Sequence, residues 1–278
     1  MAVALSFEFF PPRTQQLAAQ LREAYLVLAR LKPDYFSVTY GAGGTTRFNT
    51  FETVLEIRRE TGCEVAPHLS CIGSTREEIR QILHNYCAHG IRRLVALRGD
   101  PPSGMHADGD FRYAEELVRF IRAETGDYFY IEVAAYPEVH PQAPSYRADI
   151  KYFKRKLEAG ANAAITQYFY NADAYFYFLE SCRREGIDVP IVPGIMPITN
   201  YTQLVRFSDR CGADIPRWMR KRLEAFGDDL ESIRAFGIEV VTGMCQKLLE
   251  GGAPGLHFYT MNRADPTLTI CRNLGLLP

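Results

Sequence analysis

A chain of 278 residues with 32 basic and 33 acidic side chains and a formal net charge of -1 can hold one large domain, and it lacks the one-sided basic footprint of a nucleic-acid binder. Its seven cysteines (Cys63, Cys71, Cys87, Cys182, Cys211, Cys245 and Cys271) are odd in number and include no Cys-x-x-Cys pair; they speak against disulfides and structural zinc and, with no secretory leader before Ser6, for a reducing cytoplasm. No apolar run approaches the roughly 18 residues of a membrane span, so no membrane, nucleic-acid or metal partner is expected.

Short β-branched or aromatic runs alternate with longer stretches that carry charges at helical spacing. Strands are expected at 5–9, 35–39, 64–69, 93–97, 130–135, 163–168, 190–195 and 256–259. Helices are expected between and after them at 15–31, 47–61, 75–89, 112–125, 148–159, 172–185, 201–211, 218–226 with 230–250, and 266–274. "STREE" offers Ser74 or Thr75 as a cap with acids in the first turn, and Gly62, Gly90, Gly160 and Gly186 stand where helices should end. Eight such units predict a (β/α)8 TIM barrel, and the near-continuous apolar runs "RRLVAL" and "IVPGIM" suit a sheet buried on both faces. An open doubly wound sheet is the rival arrangement. No linker or shift in charge marks a boundary, so residues 1–278 are read as one domain with a helical insertion around 212–232.

Barrel chemistry gathers at the C-terminal ends of the strands. There the chain places Glu8, Thr39 and Tyr40, His68, Arg98 and Asp100, Tyr136 and His140, Gln167, and Tyr259 with Arg263. Polar groups at seven of eight strand ends point to a site rather than to packing. Glu8 is the most telling: with Phe7, Phe9 and Phe10 beside it, its carboxylate is expected in dry surroundings that disfavour the charged form, which suits a general acid. No G-x-G-x-x-G, P-loop or H-E-x-x-H is present. The "YGAGG" turn still admits a ligand close to its backbone, or serves as a tight turn alone. The charges of "KYFKRKLEAG" read first as a solvated face, with Ile150, Phe153 and Leu157 on the buried one; Trp218 reads equally well as core filling.

In order along the chain, "SFEFFPPRT", "SVTYGAGG", "APHLSC", "VALRGDPP", "AAYPEVHP", "KRKLEAGANAAITQYFYN", "VPGIMPITNY" and "HFYTMNRA" resemble the methylenetetrahydrofolate reductases. The resemblance runs from Ser6 to Ala264. It implies a cytoplasmic flavoprotein barrel that reduces 5,10-methylenetetrahydrofolate to 5-methyltetrahydrofolate, taking a hydride from NADH or NADPH through bound FAD, and a homo-oligomer. Glu8 matches the family's catalytic glutamate, which protonates the folate so that its five-membered ring opens to an iminium carbon. Asp100 matches a residue near both flavin and pterin, and Gln167 one that meets both substrates.

Thr39, Tyr40, Ala42, His68, Arg98, Gly99, Asp100, Tyr113, Ala114, Tyr136, His140, Ala143, Asp149, Arg155 and Lys156 match FAD-binding positions; the similarity moves Arg155 and Lys156 from a solvated face to a pyrophosphate site. Gln203, Phe207 and Arg263 match folate contacts, Arg263 for the glutamyl tail and Phe207 for the aminobenzoate ring. Tyr152 departs from the family, standing where some relatives have asparagine. With no regulatory C-terminal domain after Pro278, no inhibition by S-adenosylmethionine is expected. Two other readings share the pattern: a pterin-dependent methyl-transferring barrel without redox chemistry, and a flavin- or folate-binding subunit without turnover.

Overall fold

The computed structural model describes residues 3–40, 44–100 and 109–277, with the side chains of 44–48 left aside. Among them ten helices alternate with nine parallel strands. The strands are β1 (Ala4–Phe9), β2 (Tyr35–Val38), β3 (Val65–Ser70), β4 (Arg93–Leu97), β5 (Tyr130–Ala135), β6 (Ala163–Thr166), β7 (Ile191–Val192), β8 (Gly194–Ile195) and β9 (Gly255–Tyr259). The helices that matter for the site are α1 (Gln15–Ala29), α2 (Gly44–Thr61), α3 (Arg76–Ala88), α4 (Ala114–Thr125), α5 (Tyr146–Glu158), α6 (Ala172–Arg184), α7 (Tyr201–Cys211), α8 (Arg217–Phe226), α9 (Leu230–Glu250) and α10 (Thr267–Asn273).

The sheet runs β7-β6-β5-β4-β3-β2-β1-β9-β8. Its two ends, β7 and β8, are separated in sequence by Pro193 alone, so the sheet closes into a barrel. The single strand expected at 190–195 is thereby corrected to two. Proline has no N–H for a ladder; on one side of it Ile191 and Val192 pair with Ala164 and Ile165, and on the other Gly194 and Ile195 pair with His257 and Phe258. The sixth strand also ends earlier than expected, at Thr166, which puts Gln167 just beyond it.

Two packing layers follow from the period-2 alternation of a strand. Outward residues meet the helices: Phe7 stacks on Phe258 at 5.8 Å and lies 6.0 Å from Phe36, so one aromatic row ties β9, β1 and β2 together. Inward residues form a separate small cluster of Tyr35, Ala66, Val95 and Ile165. The capping of α3 is reciprocal, with Thr75 and Glu78 each serving the other's backbone. Gly62, Gly90, Gly160 and Gly186 end their helices at φ of 69, 69, 116 and 75°.

The loop after β9 grips the end of β1. Asn262, buried and at φ 57°, accepts from the Phe10 N–H at 2.9 Å and donates to the Phe10 carbonyl at 2.8 Å, doing with one side-chain amide what a neighbouring strand does with its backbone. Thr260 donates its hydroxyl to the carbonyl of Glu8 at 2.6 Å. Replacing the amide leaves two main-chain groups of Phe10 unmatched, so Asn262→Ala is expected to lower the free energy of unfolding by about 2 kcal/mol, measured by urea titration.

Candidate active site

Glu8 is the fifth residue of β1 and points into the barrel mouth. Its Oε2 lies 3.3 Å from Nε2 of His68 on β3 and 3.6 Å from Nε2 of His257 on β9. The expectation that Phe7, Phe9 and Phe10 surround this carboxylate is corrected by the alternation of β1. Phe7 and Phe9 point outward to Phe36, Phe258 and Tyr25. The immediate neighbours of Glu8 are imidazoles. His68 is 6 % exposed, and burial pushes its pKa below the usual histidine value even though Glu8 pulls the other way. His257 is fully buried and its Nδ1 lies 2.7 Å from the Ser6 hydroxyl.

Tyr259 closes the other side of the mouth by donating to the carbonyl of Thr166 at 2.7 Å, which binds β9 to the end of β6. Burial holds its phenol well above the ordinary value, and the charges of Glu8 and Tyr136 add to the effect. A second feature is a cavity of about 560 Å³ that opens between β4, β5, α4 and α5.

Eleven of the fifteen residues expected around a cofactor line this cavity: Arg98, Gly99 and Asp100 after β4, Tyr113 and Ala114 at the start of α4, Tyr136, His140 and Ala143 after β5, and Asp149, Arg155 and Lys156 on α5. Thr39, Tyr40 and His68 do not line it and stand at the ends of β2 and β3; Ala42 lies outside the described residues. Tyr152, Glu115 and Gln142 line it although the sequence singled out only Tyr152, and that as a departure. Tyr152, one turn before Lys156, shares that helix's cavity face and could have been found by its spacing; Glu115 and the loop residue Gln142 carried no such signal.

The wall at Gly99 is tight. Its φ is 83°, and a Cβ there would come within 1.9 Å of the Ser70 hydroxyl. The β5–α5 loop is held by the Asp149 carboxylate, which accepts from the His140 N–H at 2.7 Å, while His140 sets its ring edge-on to Tyr136 at 4.6 Å. Lys156 corrects the first reading of its helix: the side chain is half-buried, donates to the Ala134 carbonyl, and is pushed by burial down to about 8. Among the described residues no carboxylate is within ion-pair distance of it. Arg155 lies exposed with its guanidinium 5.5 Å from the ring centre of Tyr152.

The remaining expected residues sit around the rim. Asp100 is fully exposed, its carboxylate 3.8 Å from Arg98. Gln167 is half-buried, Phe207 half-buried on α7, and Gln203 and Arg263 exposed. Trp218 is exposed on α8, edge-on to Phe236, and does not fill the core.

With this geometry in view, the sequence model of the family described as "Methylenetetrahydrofolate reductase" matches residues 1–275. The chain belongs to the methylenetetrahydrofolate reductase family. It is 44% identical over 276 residues to the "5,10-methylenetetrahydrofolate reductase" of Escherichia coli (strain K12), covering 99% of this chain and 92% of that one. It is 40% identical over 287 residues to the Arabidopsis thaliana "Methylenetetrahydrofolate reductase (NADH) 1", covering 99% of this chain and 48% of that longer one. Among solved structures, an uncharacterized protein from Clostridium thermocellum that binds two copies of 5-methyl-5,6,7,8-tetrahydrofolic acid superposes with a TM-score of 0.66 at 16% identity, covering 99% of this chain and 94% of that one, a likeness of fold. Among the described residues no helix is long and apolar enough to cross a membrane.

The β5–α5 loop of this family member also carries a titratable tether. Glu138 accepts from the Asp214 N–H at 2.8 Å, and burial pushes its carboxyl up to about 7. A carboxyl raised in the folded state is harder to ionise there than in the unfolded chain, so stability falls as pH rises from 4.5 towards about 7 and is level beyond. Glu138→Gln keeps the acceptor and removes the charge; it is expected to flatten that slope and to gain about 1–2 kcal/mol at pH 8 after allowance for partial exposure, as read by thermal melts across pH.

Proposed function

We propose that this chain reduces 5,10-methylenetetrahydrofolate to 5-methyltetrahydrofolate, with bound FAD and a reduced nicotinamide as electron donor. The observation that carries the reading is the pairing of an inward carboxylate, Glu8, with a cavity at the ends of β4 and β5 that gathers three cations, Arg98, Arg155 and Lys156, among the carboxylates Asp100, Glu115 and Asp149. The names of the relatives, one of them an NADH enzyme, agree with it.

The cavity fits a dinucleotide on its own chemistry. Its volume is within the range of about 300–1,000 Å³ usual for small-molecule sites. Lys156 is a desolvated ammonium hydrogen-bonded to a main-chain carbonyl, and Arg155 and Arg98 line the same cavity; together they match a pyrophosphate. Tyr136, Tyr152 and Tyr113 offer faces for rings, and Gly99 lets the backbone at the end of β4 come close. FAD, when bound, supplies the carrier that accepts a hydride from the nicotinamide and gives it to the folate.

The chain's own residues bind, orient and move a proton. Glu8 donates its hydrogen from Oε2 to a nitrogen of the bridged folate, so that the five-membered ring opens and an electrophilic carbon is exposed. His68 and His257 hold that carboxyl in place from two sides. Asp100, at the cavity rim, orients the pterin and sets a negative charge beside the flavin. Gln167 meets the two substrates in turn, Phe207 packs on the aminobenzoate ring, Gln203 contacts the folate, and Arg263 meets the anionic glutamyl tail. Thr39, Tyr40 and His68 complete the flavin's surroundings at the strand ends.

Purified protein is expected to be yellow, to be bleached by NADH or NADPH, and to regain its colour with methylenetetrahydrofolate. A colourless protein, or one whose reduced flavin is untouched by folate, would overturn the reading. In Glu8→Gln the nicotinamide half-reaction is expected to survive while the folate half-reaction slows by at least about 100-fold, followed by stopped-flow absorbance. The apoprotein is expected to bind FAD less tightly as pH rises through about 8, where Lys156 loses its charge; Lys156→Met removes that dependence in a fluorescence titration.

A further inference from the structure

The two ligands of the proposed reaction fall to different parts of the chain, the cofactor to the β5–α5 loop with α5 and the folate in part to α7. One contact joins these parts. Glu138, half-buried in the β5–α5 loop, takes the main-chain N–H of Asp214 at 2.8 Å, two residues beyond the first position after α7. Packing beside that bond is tight. Gly212, at φ 74°, ends the helix, and a Cβ built on it would lie 3.0 Å from Cγ of Pro141 and 3.4 Å from the Val139 carbonyl oxygen. Val139 itself has φ 121°, a value that a β-branched residue adopts only where its surroundings impose it.

Each side of this contact leads to a proposed ligand position. On the loop side, His140 stands two residues after Glu138; its N–H is held by the Asp149 carboxylate at 2.7 Å, its ring meets Tyr136 edge-on, and all three line the cavity. On the helix side, α7 is pinned at three points. Asn200 caps its start through the Gln203 N–H at 2.8 Å, Ser208 meets the Tyr168 hydroxyl at 3.0 Å beyond the end of β6, and Gly212 with Asp214 fastens its end to the loop. Phe207 adjoins Ser208 and lies five residues before Gly212, so only ~7.5 Å of helix separates it from the fastened end. Gln203 is one turn further back on the same stripe as Phe207. A helix of 11 residues moves as a rod, so freeing its end lets it turn about Ser208 and carries both side chains with it.

We propose that Glu138 is a positioning residue for folate: by taking the Asp214 N–H it fastens the end of α7 to the cofactor loop and fixes where Phe207 stands relative to the flavin. This rests on the proposed function and on Phe207 as a folate contact, and it adds what holds the second ligand in register with the first. Hydride transfer demands that register, since reacting atoms must come to about 3–3.5 Å and misplacement by about 1 Å costs on the order of 100-fold in rate. Glu138 does not line the cavity and acts through α7.

Stopped-flow absorbance on the flavin-loaded full chain tests the assignment. In Glu138→Ala the folate half-reaction is expected to slow by about tenfold, with FAD affinity and the nicotinamide half-reaction within about twofold of wild type. Glu138→Gln, which keeps an acceptor of the same reach, is expected to restore the folate half-reaction. In a Phe207→Ala background, Glu138→Ala is expected to add less than about twofold, because the tether then has no ring to place. Equal loss in both half-reactions, no loss in either, failure of glutamine to restore, or full additivity with Phe207→Ala overturns the proposal. Should the alanine variant not fold, Glu138→Asp keeps the charge, withdraws the acceptor by one methylene and carries the same expectations. The contact itself is read by hydrogen exchange: the Asp214 amide is expected to exchange at least about tenfold faster in Glu138→Ala than in the wild type, and an equal rate overturns the tether. Failure of the wild type to transfer electrons to folate would instead remove the proposed function, and the exchange rate of Asp214 would still judge the contact.

Discussion

The alternation of β1 is the constraint from which the site follows. Leu5, Phe7 and Phe9 turn outward to the helices, and Ser6 and Glu8 turn inward to the barrel axis. The outward set fixes the register: Phe7 between Phe36 and Phe258 aligns β1 with both neighbours, so that Ser6 pairs with His257 and Glu8 with Tyr259 across β9. A shift of one residue would exchange the faces and send every polar group into the helix layer. Fully buried aromatic side chains are each worth about 3–5 kcal/mol against truncation to alanine, enough to impose that register on an interior that gains less from its own contacts.

That interior is unlike the apolar filling of an ordinary barrel, where branched aliphatic side chains dominate. Here Val95, Ala66 and Ile165 share it with Ser6, Tyr35, Glu132, His68 and His257, all buried. Polar groups taken out of water are costly unless they answer one another. Here Ser6 meets His257 at 2.7 Å, Arg93 lies 3.3 Å from Glu132, and Glu8 stands within 3.6 Å of both imidazoles. The same outward shell that stabilises the fold thus holds these polar groups in a geometry they could not keep alone. Asn262 and Thr260 finish the arrangement by pinning the main chain of β1 where it leaves the barrel.

The cavity beside the mouth is built by different means. Two of its three cations come from one helix, α5, whose Ile150 and Phe153 face the core while Lys156 reaches back to the Ala134 carbonyl. A lysine read from its neighbours as solvated becomes, in the folded chain, a desolvated charge hydrogen-bonded to a main-chain carbonyl.

Much of this was legible in the chain before folding. The eight strand–helix units, the helix-ending glycines and the cap at Thr75 are local features, since each depends on residues within a turn or a strand of one another. Most cavity residues were legible too, because they sit in motifs at strand ends and helix starts. What escaped depends on register. Nothing near Glu8 in sequence shows that Phe7 and Phe9 face away from it, or that His257, 249 positions later, will lie 3.6 Å from its oxygen. The split of the seventh strand at Pro193 likewise appears only when the two halves find different neighbours. The sequence by itself determined the elements, their order and the polar residues each would offer, because propensity, capping and alternation act over a few residues. Only the closed barrel decided which of those residues meet, because the distance between two inward side chains is set by strand pairing and closure, and these belong to the whole chain at once.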